Sequence, residues 1–339
     1  MRNYIAGCFD LGYYCGSVPL SMVALVFVTT MFNYNIHFGA LYAFGQELSK
    51  PSQYGKISSY LEIQNQATSI FSGAFAALLT GIVAGQKINI VGMNLEIPFN
   101  FQKWEMHQIF LLDGITYGIS IFLVSLIRYK SPVERVIDTS PIIMRIKTGI
   151  AFLKKHPAIF SFGNYSYSIF VILMVQVFML LPLYVKHHLE QGSDVYASAE
   201  VLYSAGAMMA GLFIRKIFRN RNTVFSVVVL LVVTSLIFYM VAFTKSVGIF
   251  YIFSFIIGIT NAGARVLRTT YLFSHVSNDI IGRTNSVFNV INILLRSLLL
   301  LLFSLTWFHG DSNITWAYAI CGTFTLVSAY LLMRNYNKL

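Results

Sequence analysis

The sequence predicts an all-α integral membrane protein with about nine transmembrane helices, and three observations support this prediction. Of the 339 residues, 56% are apolar and only 11% are charged, whereas soluble domains have about a quarter of their residues charged. Nine stretches are long and apolar enough to cross a bilayer. The Lys and Arg residues concentrate in every second loop between these stretches, which is how basic residues orient membrane helices.

The nine spans come from the length that a membrane requires. A transmembrane helix needs roughly 20 mainly apolar residues to cross about 30 Å of hydrocarbon. Runs of this kind predict spans at residues 18–44, 58–85, 107–128, 160–186, 197–217, 223–244, 247–272, 285–309 and 313–333. Because nine is an odd number, the two chain ends are expected on opposite sides of the membrane.

The distribution of Lys and Arg residues predicts which loops lie in the cytoplasm. With alternating spans, the loops on one side hold sixteen Lys and Arg residues and the loops on the other side hold five. Since basic loops stay in the cytoplasm, we expect a cytoplasmic C-terminus. The net charge of +11 is thereby explained by membrane topology, and we expect no nucleic-acid partner.

Two distant segments share the pattern Y-x-F followed by G-[K/R]-x-x-S. The first copy lies in residues 42–59 and the second in residues 271–286, each in a predicted cytoplasmic loop that opens a new helix. An internal repeat at matching topology predicts two related halves. Because the predicted spans between 160 and 244 have no upstream counterparts, we expect a six-plus-six protein whose first three helices are absent.

The repeat also predicts how the chain is organised. We expect a partial N-terminal bundle of three helices at 1–128, a basic cytoplasmic linker at 129–158 and a C-terminal bundle of six helices at 159–339.

Short motifs accompany this layout. Leu181-Pro182-Leu183 lies near the end of span 160–186, Gly282-Arg283 precedes Ser286, and small residues recur along span 58–85 at 73, 77, 81 and 85. With the basic central loop, these features resemble the major facilitator superfamily, and within it the bacterial macrolide-efflux and enterobactin-exporter branch. The resemblance implies pseudo-symmetric bundles, here of three plus six helices, in the bacterial inner membrane.

The same resemblance implies a function. It points to a secondary active transporter that exports a small amphipathic or drug-like solute by alternating access, coupled to a proton or sodium ion and without a cofactor. A lipid or lysolipid translocator of the same fold is an alternative, and so is an inactive, truncated transporter. A membrane-embedded transferase or a receptor-like protein would belong to a third class.

Enzymatic chemistry is not expected, because the sequence has no P-loop, GxSxG or HExxH motif and no paired carboxylates deep in a span. Adjacent His187 and His188 follow a helix end without further ligands nearby in sequence. We therefore expect these histidines to be solvated and predict no metal site.

The first candidate site lies on span 285–309. Asn285, Asn289, Asn292 and Arg296 recur at helical spacing and form one stripe that ends in a charge nearly three turns into the span. A charge at this depth costs about 3 kcal/mol or more, so it usually faces a partner or a water-filled cavity. We expect Arg296 to bind an anionic substrate group or a carboxylate, with the asparagines either joining neighbouring helices or lining the cavity.

Two further polar groups lie on other predicted spans. On span 58–85, Glu62 and Gln66 share a face. Glu62 is expected either to pair with Lys50 or Lys56 at the membrane surface, or to bind a proton or a residue of the transport gate. On span 247–272, Asn261, Arg265 and Arg268 also share a face. Arg265 and Arg268 are expected either to pair with residues that form a gate or to extend to the cytoplasmic surface.

Overall fold

The computed structural model describes residues 25, 28–29, 33, 37, 40–79, 87–90, 93–96, 98–128, 141–309 and 313–335. The helices with defined bounds are α1 (Tyr54–Leu79), α2 (Met106–Ser125), α3 (Ile142–Lys155), α4 (Pro157–Ser166), α5 (Ser168–Val175), α6 (Leu181–His187), α7 (Ser193–Ile217), α8 (Thr223–Phe243), α9 (Val247–His275), α10 (Asn278–Phe303) and α11 (Ile314–Arg334). Residues 40–48 are also helical. Strands β1 (Lys87–Ile90) and β2 (Met93–Glu96) pair in a two-stranded sheet.

The chain forms two compact units that interleave along the sequence. The first unit takes in Met1–Leu41, Gly73–Gln86 and Glu96–Pro141, and the second takes in Tyr42–Ser72, Lys87–Leu95 and Ile142–Leu339. The second unit therefore combines most of α1 with α3 to α11. The predicted division at 1–128, 129–158 and 159–339 stays a prediction.

Six helical stretches of the described chain are long and apolar enough to cross a membrane. They are Pro157–His187, Asp194–Ile217, Thr223–Phe243, Val247–His275, Asn278–Phe303 and Ile314–Arg334. These stretches coincide with the last six predicted spans, and the prediction of an all-α membrane protein is confirmed. Helix α10 begins earlier than the predicted span because its first turns carry the polar residues Asn278, Asp279 and Arg283.

The three upstream spans are matched less completely. Helix α1 covers most of predicted span 58–85, but residues 80–86 lie outside the described residues. Helix α2 contains a shorter apolar stretch, Leu111–Ser125. Most of predicted span 18–44 lies outside the described residues, so the total of nine spans stays a prediction.

The stretch Pro157–His187 is interrupted by a π-helical turn. Helices α4 and α5 lead into the turn at Gln176–Leu180, and α6 continues from it. The backbone N–H of Leu181 donates to the carbonyl of Gln176, five residues back, and Pro182 has no N–H to donate. The turn therefore lies where the proline weakens the regular helical hydrogen bonds.

Helices α7 and α9 approach each other closely through two glycines. A Cβ atom on Gly206 would overlap the carbonyl oxygen of Phe255, and one on Gly258 would overlap the carbonyl oxygen of Tyr203. Small residues at reciprocal positions let two helix backbones meet, which is a common packing mode in membranes. This contact fixes the register in which the polar residues of α7 and α9 face each other.

Two large apolar clusters form most of the core of the second unit. One includes Phe162, Leu231, Tyr271 and Phe288, and the other is centred on Tyr184, Phe238 and Tyr318. The hydroxyl of Tyr184 donates to the carbonyls of Val241 and Thr244 at 2.7 and 3.0 Å.

His188 lies beside this second cluster. Its Nε2 is 2.9 Å from the carbonyl oxygen of Thr244, and its ring is 4.9 Å from that of Tyr184. The prediction that His188 is solvated is therefore wrong, because the turn after α6 folds the imidazole back onto the end of α8.

The two copies of the repeated pattern meet in space. The ring of Tyr54, within the first segment, packs edge-on against Phe273 of the second at 5.5 Å between centroids. The side-chain amide of Gln46, also in the first segment, donates to the carbonyls of Phe273 and Val276, both at 3.0 Å. These bonds satisfy carbonyl groups that the end of α9 leaves without helical partners.

Candidate functional site

A buried ion pair joins α1 to α9. Arg265 Nη1 lies 3.3 Å from Glu62 Oε2, and the Glu62 side chain is only 2% exposed. Gln66, one turn along α1, donates from Nε2 to the other carboxylate oxygen of Glu62 at 2.8 Å. Both oxygens of the carboxylate thus have a partner, which a charge removed from water requires.

The burial of Glu62 follows from the packing of α1 on α7. Gly55, Ser58, Glu62 and Gln66 recur on one buried face of α1. A Cβ atom on Gly211 of α7 would press on Ile63, so the helices touch directly at this level. Glu62 is therefore held inside the bundle and pairs with Arg265, whereas Lys50 and Lys56 are exposed.

Arg268 lies three residues beyond Arg265 on α9 and is also inside the bundle. Its side chain is buried, and Nη1 donates to the carbonyl of Ser166 at 3.1 Å. The guanidinium carbon lies 3.5 Å from the centroid of the Tyr167 ring. Arg268 is thus held by a carbonyl at the α4–α5 junction and by an aromatic face, a cation–π arrangement, rather than at the membrane surface.

Asn261 extends the same face of α9 in the opposite direction. Its Nδ2 donates to the hydroxyl of Tyr203 on α7 at 2.7 Å. Asn261 precedes Arg265 by one helical turn, so the hydrogen bond and the ion pair are adjacent levels of one polar face. Asn261, Arg265 and Arg268 are therefore brought together with Glu62 and Gln66; we call these five residues the α1–α9 cluster.

The predicted stripe on α10 divides between two environments. Asn292 is buried and its Nδ2 has no hydrogen-bond partner among the described residues, whereas Asn289 is exposed. Asn285 and Arg296 are half-buried. Asn292 is therefore packed inside the protein and Asn289 is accessible, although the two residues are only three positions apart.

Four polar side chains that sequence reasoning missed line a narrow crevice in the second unit: Gln176, Glu200, Tyr203 and Ser254. Glu200 is the one carboxylate between Val195 and Ile217 on α7. A lone acid inside an apolar span is a recognisable signal. Tyr203 follows it on the same helix and also contacts the α1–α9 cluster through Asn261.

Comparison with known proteins gives one matching family profile and similar solved structures. The family profile described as Major Facilitator Superfamily matches residues 4–299. Among solved structures, the crystal structure of a bacterial homologue of the iron transporter ferroportin in an outward-facing state is similar, with a TM-score of 0.69 and 12% sequence identity over 99% of this chain and 81% of that chain. At this identity the likeness shows the fold alone. No curated protein matches the chain.

Proposed function

This chain belongs to the major facilitator superfamily of secondary transporters, and we propose that it exports a small amphipathic or drug-like solute by alternating access. The proposed location is the bacterial inner membrane with the C-terminus in the cytoplasm, which the sixteen-to-five bias of basic residues supports. A proton or sodium gradient would supply the energy. The motifs at residues 181–183 and 282–286 support assignment to the macrolide-efflux and enterobactin-exporter branch.

The Glu62–Arg265 ion pair is the main structural support for the proposal. Removing two charges from water is costly, and a buried pair is often no more stable than apolar residues of the same volume. A pair of this kind is therefore better explained by switching than by stability. In the proposed mechanism it joins α1, which begins within the first repeat copy, to α9, which carries the start of the second, and it breaks when the transporter changes state.

The neighbouring contacts would make this gate cooperative. Gln66 orients the Glu62 carboxylate, and Gln46 holds the end of α9 through Phe273 and Val276. Arg268 anchors the next turn of α9 against Ser166. A rigid α9 would then move as one body when the Glu62–Arg265 contact opens.

We propose that the solute is contacted by Arg296, Asn292 and Asn289 of α10, together with aromatic side chains. A guanidinium and two amides can recognise an anionic or polar group on an otherwise apolar solute. The α1–α9 cluster is assigned to gating rather than to direct binding, since its charged groups already have partners in the protein.

The experiment uses inverted membrane vesicles that contain the full chain. Accumulation of drugs, siderophores, lysolipids and iron would be compared with and without a proton or sodium gradient. We expect gradient-dependent movement of at least one amphipathic drug or siderophore and its loss in Glu62→Gln. Gln64→Ala is the matched control, because Gln64 is exposed on the same helix.

Other results would redirect the assignment. Movement of lysolipid alone would identify a lipid translocator, and movement of iron alone would extend to this chain the substrate in the name of the structurally similar protein. Absence of any gradient-dependent movement, with protein shown to be inserted, would contradict the proposal.

A further inference from the structure

Helix α3 is a basic, amphipathic helix that lies directly before a membrane-crossing stretch. Its 14 residues, Ile142–Lys155, carry four basic side chains and no acidic one. After His156 the chain enters Pro157–His187, which is long and apolar enough to cross a bilayer. We therefore expect the end of α3 at the level where the surrounding lipid changes from hydrocarbon to headgroups.

One side of α3 is packed against the start of α10. A Cβ atom on Gly149 would lie 2.8 Å from the carbonyl oxygen of Arg283, so the two helix backbones touch at this point. Leu153, one turn further along α3, is only 3% exposed and belongs to the same apolar cluster as Val287. Because the stretch Asn278–Phe303 is also able to cross a bilayer, this contact places α3 beside the polar end of a second membrane helix.

The opposite side of α3 presents three exposed lysines, Lys147, Lys154 and Lys155. Lys147 precedes the other two by seven and eight positions, so helical geometry places all three on one side. Among the described residues, none of them forms an ion pair. Lysines in the last turn of a helix complement its dipole, but this effect does not extend to Lys147, which lies near the middle of α3.

Two apolar side chains are exposed among these lysines. Met144 is 62% exposed and Ile150 is 38% exposed. Met144 lies three positions before Lys147, and Ile150 lies four positions before Lys154, so each apolar side chain has a lysine as its neighbour on the helix surface. We call this set the α3 lysine face: Met144, Lys147, Ile150, Lys154 and Lys155.

The protein around α3 offers little negative charge. Helix α3 packs on α10 and α4, and the sequence has no Asp or Glu between residues 139 and 189. The first turn of α10 carries Asp279, but Arg283 follows it one turn later. The charge of the α3 lysine face is therefore not balanced by the helices that pack against it.

We propose that the α3 lysine face binds the phosphate headgroups of anionic phospholipids in the bilayer around the protein. Helices bind at a bilayer surface when apolar side chains enter the acyl boundary and long basic side chains reach the headgroups. Each lysine close to an anionic bilayer is attracted to it, and salt weakens this attraction. The inference goes beyond the proposed transport function, since it does not depend on which solute moves.

The test places the full chain in nanodiscs of phosphatidylcholine alone and in nanodiscs that also contain phosphatidylglycerol. Hydrogen–deuterium exchange of the amides in residues 142–155 is then followed by mass spectrometry. We expect exchange to be slower by about threefold or more with phosphatidylglycerol, because bound headgroups oppose local opening of α3. The triple variant with Lys147→Gln, Lys154→Gln and Lys155→Gln is expected to exchange equally in the two lipid mixtures.

A second triple variant is the matched control: Lys216→Gln, Arg219→Gln and Arg221→Gln. These three residues are exposed around the loop between α7 and α8, and their replacement removes the same amount of charge. We expect this variant to keep the slower exchange of α3. Equal loss of the effect in both triple variants would attribute it to net charge alone, and exchange in wild type that ignores phosphatidylglycerol would equally overturn the proposal.

Native mass spectrometry of the full chain released from detergent gives an independent measure of lipid affinity. We expect the three lysine substitutions on α3 to lower the affinity for phosphatidylglycerol by about tenfold or more and to leave that for phosphatidylcholine unchanged. Unchanged thermal unfolding midpoints show that the fold is retained. Equal phosphatidylglycerol affinity in wild type and in this variant would contradict the α3 lysine face as a lipid site.

Soluble anions separate the lipid from other partners of the same charge. Inorganic phosphate and a polyglutamate peptide, each added to phosphatidylcholine nanodiscs, should leave amide exchange in α3 unchanged, because neither offers an apolar part to Met144 and Ile150. Slower exchange with the peptide but not with phosphatidylglycerol would identify an acidic protein segment as the partner and overturn the proposal. None of these measurements requires transport, so their failure would leave the proposed export untouched.

Discussion

Glu62 and Arg265 lie 203 residues apart in the sequence, and their side chains meet at 3.3 Å inside the second unit. The two residues lie near the two copies of the repeated sequence pattern, and those copies also touch through Tyr54 and Phe273. The ion pair is thus one part of a continuous contact between an early and a late segment of the chain. In the proposed transport mechanism, this contact opens and closes as the protein changes state.

Glu62→Gln tests the pair. The amide keeps the shape but leaves Arg265 without its carboxylate, so we expect the free energy of unfolding to fall by about 1–3 kcal/mol. We also expect solute accumulation in inverted vesicles to be lost. The double variant Glu62→Arg with Arg265→Glu restores opposite charges. Because the two side chains pair directly, we expect this double variant to recover part of the lost accumulation. Identical behaviour of the single and double variants would argue against the pair as a gate.

The sequence predicted both members of this pair as candidates but not their pairing. Spacing along one helix shows that Asn261, Arg265 and Arg268 share a face, yet it carries no information about which distant helix meets that face. The pairing depends on the register between α1 and α7, and a close contact of Gly211 with Ile63 sets that register. Lys50 and Lys56 were plausible partners because they are near in sequence, but both lie on the exposed side.

Arg268→Lys tests the anchoring of α9. Lysine keeps the charge but cannot place a planar group over Tyr167 while donating to the Ser166 carbonyl. We expect a loss of about 1–2 kcal/mol in the free energy of unfolding, measured as a lower thermal unfolding midpoint in detergent. Arg219→Lys is the control, since Arg219 is exposed beyond the end of α7. Equal midpoints for the two variants would contradict the buried role of Arg268.

Gly258→Ala tests the close approach of α7 and α9. The added methyl group would overlap the carbonyl of Tyr203, so the helices would have to separate. We expect destabilisation of about 1–3 kcal/mol or more, because overpacking forces the backbone to shift. Gly248→Ala, on the same helix, meets only Ser246 Oγ at 4.0 Å and should leave the unfolding midpoint nearly unchanged.

Hydropathy located the last six spans because each is a long, mainly apolar helical stretch. It could not locate the crevice, since Glu200 is one polar residue in an otherwise apolar run and Gln176 is uncharged. Pro182 was visible in the sequence as part of Leu181-Pro182-Leu183, but a proline predicts a weakened helix without specifying a π-helical turn. The crevice becomes visible only when Gln176 and Glu200, which lie on different helices, face the same space.

Tyr203→Phe tests the link between the crevice and the α1–α9 cluster. The change removes the acceptor of Asn261 Nδ2 and leaves a buried amide without that partner. We expect a decrease of about 1–2 kcal/mol in the free energy of unfolding. Tyr330→Phe, at an exposed tyrosine of α11, provides the control. A Tyr203→Phe variant as stable as the control would show that the hydrogen bond carries no net free energy.

Arg296→Ala tests charge recognition on α10. If Arg296 contacts an anionic group of the solute, its removal should lower accumulation of anionic amphipathic solutes by about tenfold or more in inverted vesicles and leave accumulation of cationic solutes unchanged. Ser297→Ala is the neighbouring control, because Ser297 is exposed on the same helix. The half-buried position of Arg296 beside buried Asn292 favours a local effect rather than unfolding. An equal loss of accumulation for anionic and cationic solutes in Arg296→Ala would instead assign this arginine to the transport cycle as a whole. A residue that only recognises the charge of the solute must affect anionic and cationic solutes differently.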